Sequence, residues 1–365
     1  MIYKYFLKRF LLIFPTLFVI ILVNFIVIQI APGGPVEKFL SQINHQKISN
    51  EVSDNSLNNI KFQDQNSSIS TSKYLGSNGV DPDLIKIIEK NYGFDLPLHE
   101  RFFVMLKKFI FLDFGESFYQ DKKIIDLIFE KMPVSISLGL WSVIIIYFVS
   151  IPLGIKKALN NGSKFDLISS SIVIFLHSIP AFLLAILLII LFCGGNFLNI
   201  FPLRGIVSQN FEELNFFQKI LDYFWHLFLP ILSMVIGGFA SLTFFCKNSF
   251  LEEINKNYVL CAKAKGLSLN KILYFHIFRN ALMIVIASLP TMLVGIFFTS
   301  SLLIEVIFSL DGLGLLSYEA IISRDYPLIF SSLYFFTILG LIMNIVNDLI
   351  YRLIDPRISF EKTSR

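Results

Sequence analysis

Apolar residues in this chain gather into six long runs: Phe10–Ala31, Val134–Ile155, Leu167–Cys193, Phe228–Cys246, Ala281–Ile304 and Pro327–Asn347. None of them holds an Asp, Glu, Lys or Arg. Each is long enough to cross a hydrocarbon core of about 30 Å as a helix, and a helix satisfies its backbone groups internally where no water is present. A charge at the centre of such a helix costs about 2.5 to 3.5 kcal/mol, so the pattern predicts an all-α integral membrane protein with six transmembrane helices. The first run also has the basic flank of a signal peptide. It is longer than the roughly 7 to 15 residues of a signal core, and Ala31-Pro32-Gly33-Gly34-Pro35 is a poor cleavage site, so a retained helix is expected. Pro15 within it is tolerable where neighbouring helices take up the freed carbonyl.

The segment after the first run has two characters. From Ser41 to Gly79, Ser, Asn and Gln supply 20 of 39 residues, too polar to offset chain entropy, and a flexible insertion is expected. Beyond it, Asp81 and Pro82 can open a helix that Gly93 ends. Leu98, Phe102, Met105, Leu106 and Phe109 then repeat at helical spacing, so two or three short amphipathic helices are expected before the second run. They are either a packing cap or a docking surface for an external partner.

Orientation follows from the basic residues of the short connections. Lys4, Lys8 and Arg9 precede the first run, Lys156, Lys157 and Lys164 follow the second, six follow the fourth, and Arg352, Arg357, Lys362 and Arg365 close the chain. The opposite short loops hold only Arg204, Lys219 and Arg324, so sixteen stand against three and both termini are expected in the cytoplasm. Composition agrees: 55% of the 365 residues are hydrophobic, 16% are charged and the mean hydropathy is +0.67, which excludes a water-soluble globular protein. The formal charge of +4 is scattered, so no nucleic-acid partner is expected. Three cysteines imply no disulfide framework.

The inner loop Lys247–Asn280 carries the densest chemistry. A helical stretch ends in Ala262-Lys263-Ala264-Lys265-Gly266, and Ser268 can cap a second helix. Small residues around a glycine turn let another protein approach closely, and the lysines suit an acidic partner or anionic lipid headgroups; an ordinary interfacial elbow is the plainer alternative. The five histidines cannot form one cluster in this topology. His177, inside the third run near Pro180, is the one candidate for a polar spot, with a hydrogen bond to an adjacent helix as the simpler role. Asn24, Asn344 and Asn347 are expected as interhelical hydrogen-bond groups, with lining of a pathway as the second reading, and Gly139, Gly237 and Gly238 as sites of close helix approach. No G-x-x-x-x-G-K-S/T pattern occurs, so this chain cannot itself cradle ATP phosphates.

Tyr258-Val259-Leu260-Cys261-Ala262-Lys263-Ala264-Lys265-Gly266-Leu267, followed by Arg279-Asn280-Ala281-Leu282, resembles the EAA loop of peptide-type ABC importer permeases, with Leu260 at the glutamate position and Cys261 at the first alanine position. Further landmarks stand in that family's order: Ala31-Pro32-Gly33, Tyr92-Gly93-Phe94-Asp95, Asp113-Phe114-Gly115-Glu116-Ser117, Glu305-Val306-Ile307-Phe308-Ser309 with Gly312-Leu313-Gly314, Arg324-Asp325-Tyr326-Pro327 and Asp355-Pro356-Arg357-Ile358. Asp311 replaces the usual proline. Ile151-Pro152-Leu153-Gly154 and Phe201-Pro202-Leu203-Arg204-Gly205 look most like the Yej-type branch, importers of peptides and microcin C.

The resemblance implies a type I ABC importer permease fold in the inner membrane. Residues 1–133 would hold the first helix and a large outer loop, 134–357 a five-helix transmembrane domain, and 358–365 a cytoplasmic tail. It implies a coupling helix that an ATPase grips, at Tyr258, Ala262, Lys263, Ala264, Lys265 and Gly266. The implied partners are a second homologous permease, two ATP-binding subunits or one fused ATPase, a periplasmic solute-binding protein and membrane lipid. No cofactor, metal or catalytic residue is expected. An ion-coupled secondary transporter or a structural membrane subunit is the alternative; the former usually carries mid-membrane ionisable groups, whereas Lys247 and Glu305 lie at the ends of the apolar runs.

Overall fold

The computed structural model describes residues 2–30, 96–117, 119–120, 122–194, 197–295, 301–323 and 325–354. The expected insertion, the Asp81 cap, the landmarks at 31–33, 92–95 and 355–358 and the tail lie outside them. Contacts divide the chain into two units, Pro15–Phe114 and the remainder.

Helix α1 (Ile2–Ile30) runs through Pro15 without interruption. In the smaller unit, α2 (Leu98–Ile110) is the amphipathic helix predicted from the Leu98 to Phe109 repeat. Its Phe102 meets Phe18 and Phe25 edge-on at 5.7 and 5.4 Å, and buried Phe109 packs against Phe114 at 5.3 Å. Asn24 is buried in this unit, but its amide nitrogen has no hydrogen-bond partner among the described residues.

The larger unit is built on α3 (Ile124–Leu159, 36 residues) and α6 (Phe216–Ile254, 39 residues). They pack side by side because small residues meet along the seam. A Cβ added to Gly154 would lie 2.7 Å from Cys246 Cβ and 2.9 Å from the Thr243 carbonyl oxygen, and one on Gly238 would lie 2.8 Å from Ile146 Cδ1. The Ser150 hydroxyl donates to the Phe239 carbonyl at 2.9 Å. Close backbone approach through small residues, reinforced by hydroxyl bonds, is what holds helices together where lipid is as apolar as leucine.

With α13 (Tyr326–Ile354), these are the three described helices long and apolar enough to cross a membrane unbroken. The run Leu167–Cys193 does not form a single straight helix: α4 (Lys164–His177) and α5 (Ala181–Phe192) meet at 86° across Ser178, Ile179 and Pro180. Pro180 lacks an N–H and its ring disfavours a helical residue before it, so the ladder stops there. The run Ala281–Ile304 is likewise divided, into α9 (Phe278–Ala287), α10 (Leu289–Gly295) and α11 (Ser301–Ile307). Pro290 falls in the first turn of α10, where a missing N–H is harmless. Helix α12 (Leu313–Ser323) precedes α13.

The seam gives a paired prediction. Gly154→Ala must displace backbone and a buried Cβ, and should cost about 1 to 3 kcal/mol by overpacking, whereas Gly238→Ala meets only the far end of Ile146 and should cost less. Thermal unfolding of the two variants in detergent checks the order.

Candidate functional site

Helix α6 ends at Ile254, and the chain turns at once into α7 (Asn257–Ala264), then into α8 (Leu269–Ile272), which continues through a π turn at Leu273–Ile277 into α9. Val259 and Ala262 face inward and are buried, while Leu260, Cys261, Lys263, Ala264, Lys265 and Gly266 are exposed. The segment expected as a coupling helix is therefore two-sided: Ala262 is a packing residue, and the outward surface is formed by its neighbours.

The end of α7 is set by Gly266. Its φ of +78° is open to glycine and strained for other residues. The Gly266 N–H donates to the Lys263 carbonyl at 2.9 Å and the Leu267 N–H to the Ala262 carbonyl at 3.3 Å. This pair of bonds defines a Schellman stop and occupies carbonyls that a helix end otherwise leaves free. No atom lies within 4 Å of where a Gly266 Cβ would stand, so the space above the turn is open. The next helix starts after Ser268, as expected, with the Ser268 carbonyl accepting from Ile272 N–H at 3.0 Å.

Tyr258 fastens this segment to both flanking helices. Its hydroxyl donates to Glu253 Oε2 on α6 at 2.5 Å and accepts from Asn280 Nδ2 on α9 at 3.4 Å. Lys256 pairs with the other Glu253 oxygen. Hydrogen bonding to that carboxylate holds the Lys256 pKa above its ordinary value. Burial, with the Glu253 hydrogen bond adding to it, raises that of the Tyr258 phenol, so both stay protonated at neutral pH.

A second ion cluster lies at the α3–α4 turn. Lys157 is fully buried, its Nζ 3.2 Å from Asp166 Oδ1 and donating to Ser169 and Ser170 hydroxyls at 2.9 and 2.7 Å. Lys247 of α6 reaches Asp166 Oδ2 at 2.7 Å, and the Gly162 N–H donates to the same oxygen at 3.1 Å. From the sequence, Lys157 is an orientation charge and Lys247 an ionisable group at the end of an apolar run, and neither points to Asp166. The signal for Asp166 was present in Ser163-Lys164-Phe165-Asp166, a capping pattern, and the Asp166 N–H does donate to Ser163 Oγ.

Two further buried carboxylates gather the landmark motifs. Glu305 accepts from the Gly314 and Leu315 N–H groups at 2.7 and 3.0 Å, at the start of α12, and from the Ser135 hydroxyl at 2.7 Å. Asp325 caps α13 through the Leu328 N–H and accepts from the Ser117 hydroxyl at 2.6 Å. Asp311, at the usual proline position, pairs with Lys131 at 2.5 Å. His177 hydrogen-bonds an adjacent helix, its Nδ1 3.0 Å from the Gly237 carbonyl oxygen of α6.

Residues 150–360, from the C-terminal part of α3 through α7 and beyond α13, match the family model described as binding-protein-dependent transport system inner membrane component. The chain belongs to that family. It is 52% identical over 98% of its length to the inner membrane ABC transporter permease protein YejB of Escherichia coli O157:H7, covering 99% of that protein. It is 51% identical over 98% of its length to the peptidoglycan transport system permease protein YejB of Agrobacterium fabrum, covering 98% of it. It is 29% identical over 98% of its length to the oligopeptide transport system permease protein OppB of Haemophilus influenzae, covering 99%. A multi-pass, all-helical inner membrane component is what the apolar helices of this family member build, and the family assigns it the part of permease.

Asp166→Ala would leave Lys157 buried without its carboxylate and should destabilise this inner membrane component by on the order of 3 to 5 kcal/mol. Lys247→Ala, which removes a partly exposed partner, should cost less. Melting temperatures of the purified variants in detergent rank the two.

Proposed function

We propose that this chain is one permease subunit of an ATP-driven importer that moves peptides, microcin C-like conjugates among them, across the inner membrane by alternating access. The observation that carries the reading is the two-sided α7: small and basic residues exposed up to the open turn at Gly266, Val259 and Ala262 buried, and Tyr258 bonded to both α6 and α9. Relatives named as Yej-type and oligopeptide permeases support the substrate class.

In this reading the chain pairs with a second homologous permease, and two ATP-binding subunits, or one fused ATPase, dock on Lys263, Ala264, Lys265 and Gly266. A periplasmic binding protein delivers the peptide. Both termini are cytoplasmic, which the sixteen-to-three distribution of basic residues supports. The transmembrane domain occupies 134–357, preceded by the first helix with its outer loop and followed by a short cytoplasmic tail. ATP binding closes the ATPase pair, α7 is carried with it, and peptide affinity differs between the two states of the pathway, which makes the cycle directional once hydrolysis resets it. Catalytic residues for ATP belong to the partner.

Gly266→Ala and Gly266→Phe share the backbone strain and differ in bulk over the open turn. Import should largely survive the first and be lost in the second, with equal amounts of inserted protein; unchanged uptake by Gly266→Phe would remove the docking assignment. Copurification in mild detergent should recover a second permease and an ATPase whose hydrolysis responds to peptide and binding protein. The verified pure subunit should hydrolyse no ATP, and a stable assembly without any ATPase would overturn the importer reading.

A further inference from the structure

Gly237 is the midpoint of the apolar run Phe228–Cys246, so the His177 ring bound to its carbonyl stands at the centre of the span. His177 is exposed, and so are Ser178 and Pro180 of the bend that follows it. Exposed, non-helical backbone at this depth is tolerated against protein or a water-filled cavity and not against lipid. On α6, from Gly237 inward, the exposed residues are Ser241, Phe245, Asn248 and Glu252. Their spacing of four, three and four residues places them on one stripe, and the positions between them include buried Leu242, Cys246 and Phe250.

The exposed surfaces of α3 and α5 have the opposite character. Every exposed residue of α3 between Val134 and Ile155 is apolar, Ile136, Leu140, Ile144 and Phe148 among them, and so are all those of α5, including Leu183 and Ile186. Those faces suit hydrocarbon. An imidazole at mid-span with a hydroxyl one turn further along, leading to the amide of Asn248 at the end of the run, does not, because the ring's second nitrogen and the hydroxyl would lose water there.

We propose that the His177, Ser241 and Asn248 stripe is the wetted wall along which the transported peptide passes, with His177 receiving a backbone N–H of the peptide. A carbonyl oxygen can only accept, so the bond to Gly237 puts the proton of the neutral ring on Nδ1 and leaves Nε2 as an acceptor. A peptide N–H is the complementary donor, present in every peptide whatever its side chains. The bend is held in place by the same contact region: a Cβ on Gly237 would lie 3.2 Å from Ala181 Cβ, at the first residue of α5. This inference rests on the peptide-importer reading and adds the part of the chain that the peptide meets.

The test uses the whole importer in membrane vesicles, in a background with Cys193→Ser and Cys261→Ser whose own uptake is the reference. Ser241→Cys should react with a membrane-impermeant thiosulfonate, react several-fold more slowly with peptide and binding protein present, and lose uptake once modified. Ile144→Cys and Ile186→Cys should not react. His177→Ala should raise the peptide concentration for half-maximal uptake several-fold, with the same amount of inserted protein. An unreactive Ser241→Cys, modification without effect on uptake, or efficient cross-linking of Ser241→Cys to the second permease, which would make the stripe a subunit interface, overturns the proposal. Thiol accessibility is read on the inserted chain whatever it carries, whereas absence of peptide uptake by the reference importer overturns the function reading instead.

Discussion

The contact between α3 and α6 at Gly154 and Gly238 is the constraint on which the larger unit depends. Two helices in a bilayer gain nothing from hiding apolar surface from each other, so their association rests on packing and a few polar bonds. At Gly154 the approach is close enough that a single methyl group would overlap Cys246 and the Thr243 carbonyl. The remaining helices are arranged around this pair. The α4–α5 bend closes over Gly237, and α9 attaches through the bond from Ser249 of α6 to the Ala281 carbonyl and that from Tyr147 of α3 to the Val285 carbonyl.

Charge is the second constraint, and it is met in one way at four places. Asp166, Glu253, Glu305 and Asp325 are all buried, and each lies where backbone N–H groups, a lysine or a hydroxyl converge. The polar partners offset the loss of hydration that burial would impose. Gly312 and Gly314 follow from the same requirement: a Cβ on Gly312 would stand 2.4 Å from a Glu305 oxygen, and one on Gly314 2.6 Å from Leu302 Cα. Motifs that look separate along the chain are the two halves of caps, as Ser117 with Asp325 and Ser135 with Glu305 show.

Local features were legible in the sequence because their causes are local. Charge-free runs marked the long helices, the Leu98 to Phe109 repeat marked α2, and Gly266 marked the end of α7. Proline was less informative. Pro15, Pro152 and Pro230 sit inside continuous helices, while Pro180 accompanies an 86° bend. What the bend packs against comes from far along the chain: the Gly237 carbonyl accepts from His177 before the bend, and Gly237 lies against Ala181 after it. The pairings of Asp166 with Lys247 and of Ser117 with Asp325 span 81 and 208 residues, and no periodicity within either segment signals them. The α6 stripe was hidden for another reason: Ser233, Ser241 and Thr243 look alike within one apolar run, and only the fold shows that Ser241 is exposed while the other two are buried.

The two arms that hold α7 differ in stiffness. On one side α6 is an uninterrupted α-helix to Ile254, fixed at its C-terminal end by Lys247 on Asp166 and by Glu253 on Tyr258. On the other, the helix entering α9 passes through the π turn Leu273–Ile277, where the Phe278 N–H bonds the Leu273 carbonyl five residues back. A π turn inserts a residue into the ladder and weakens its regularity. A load at Lys263–Gly266 therefore meets a rigid connection to α6 and a more compliant one to α9. Since α6 bears Gly237 at mid-span and the buried seam with α3, it is the stiffer path from α7 to the middle of the helix pair, and under the proposed importer reading a load on this turn would pass along α6 while the α9 arm yields.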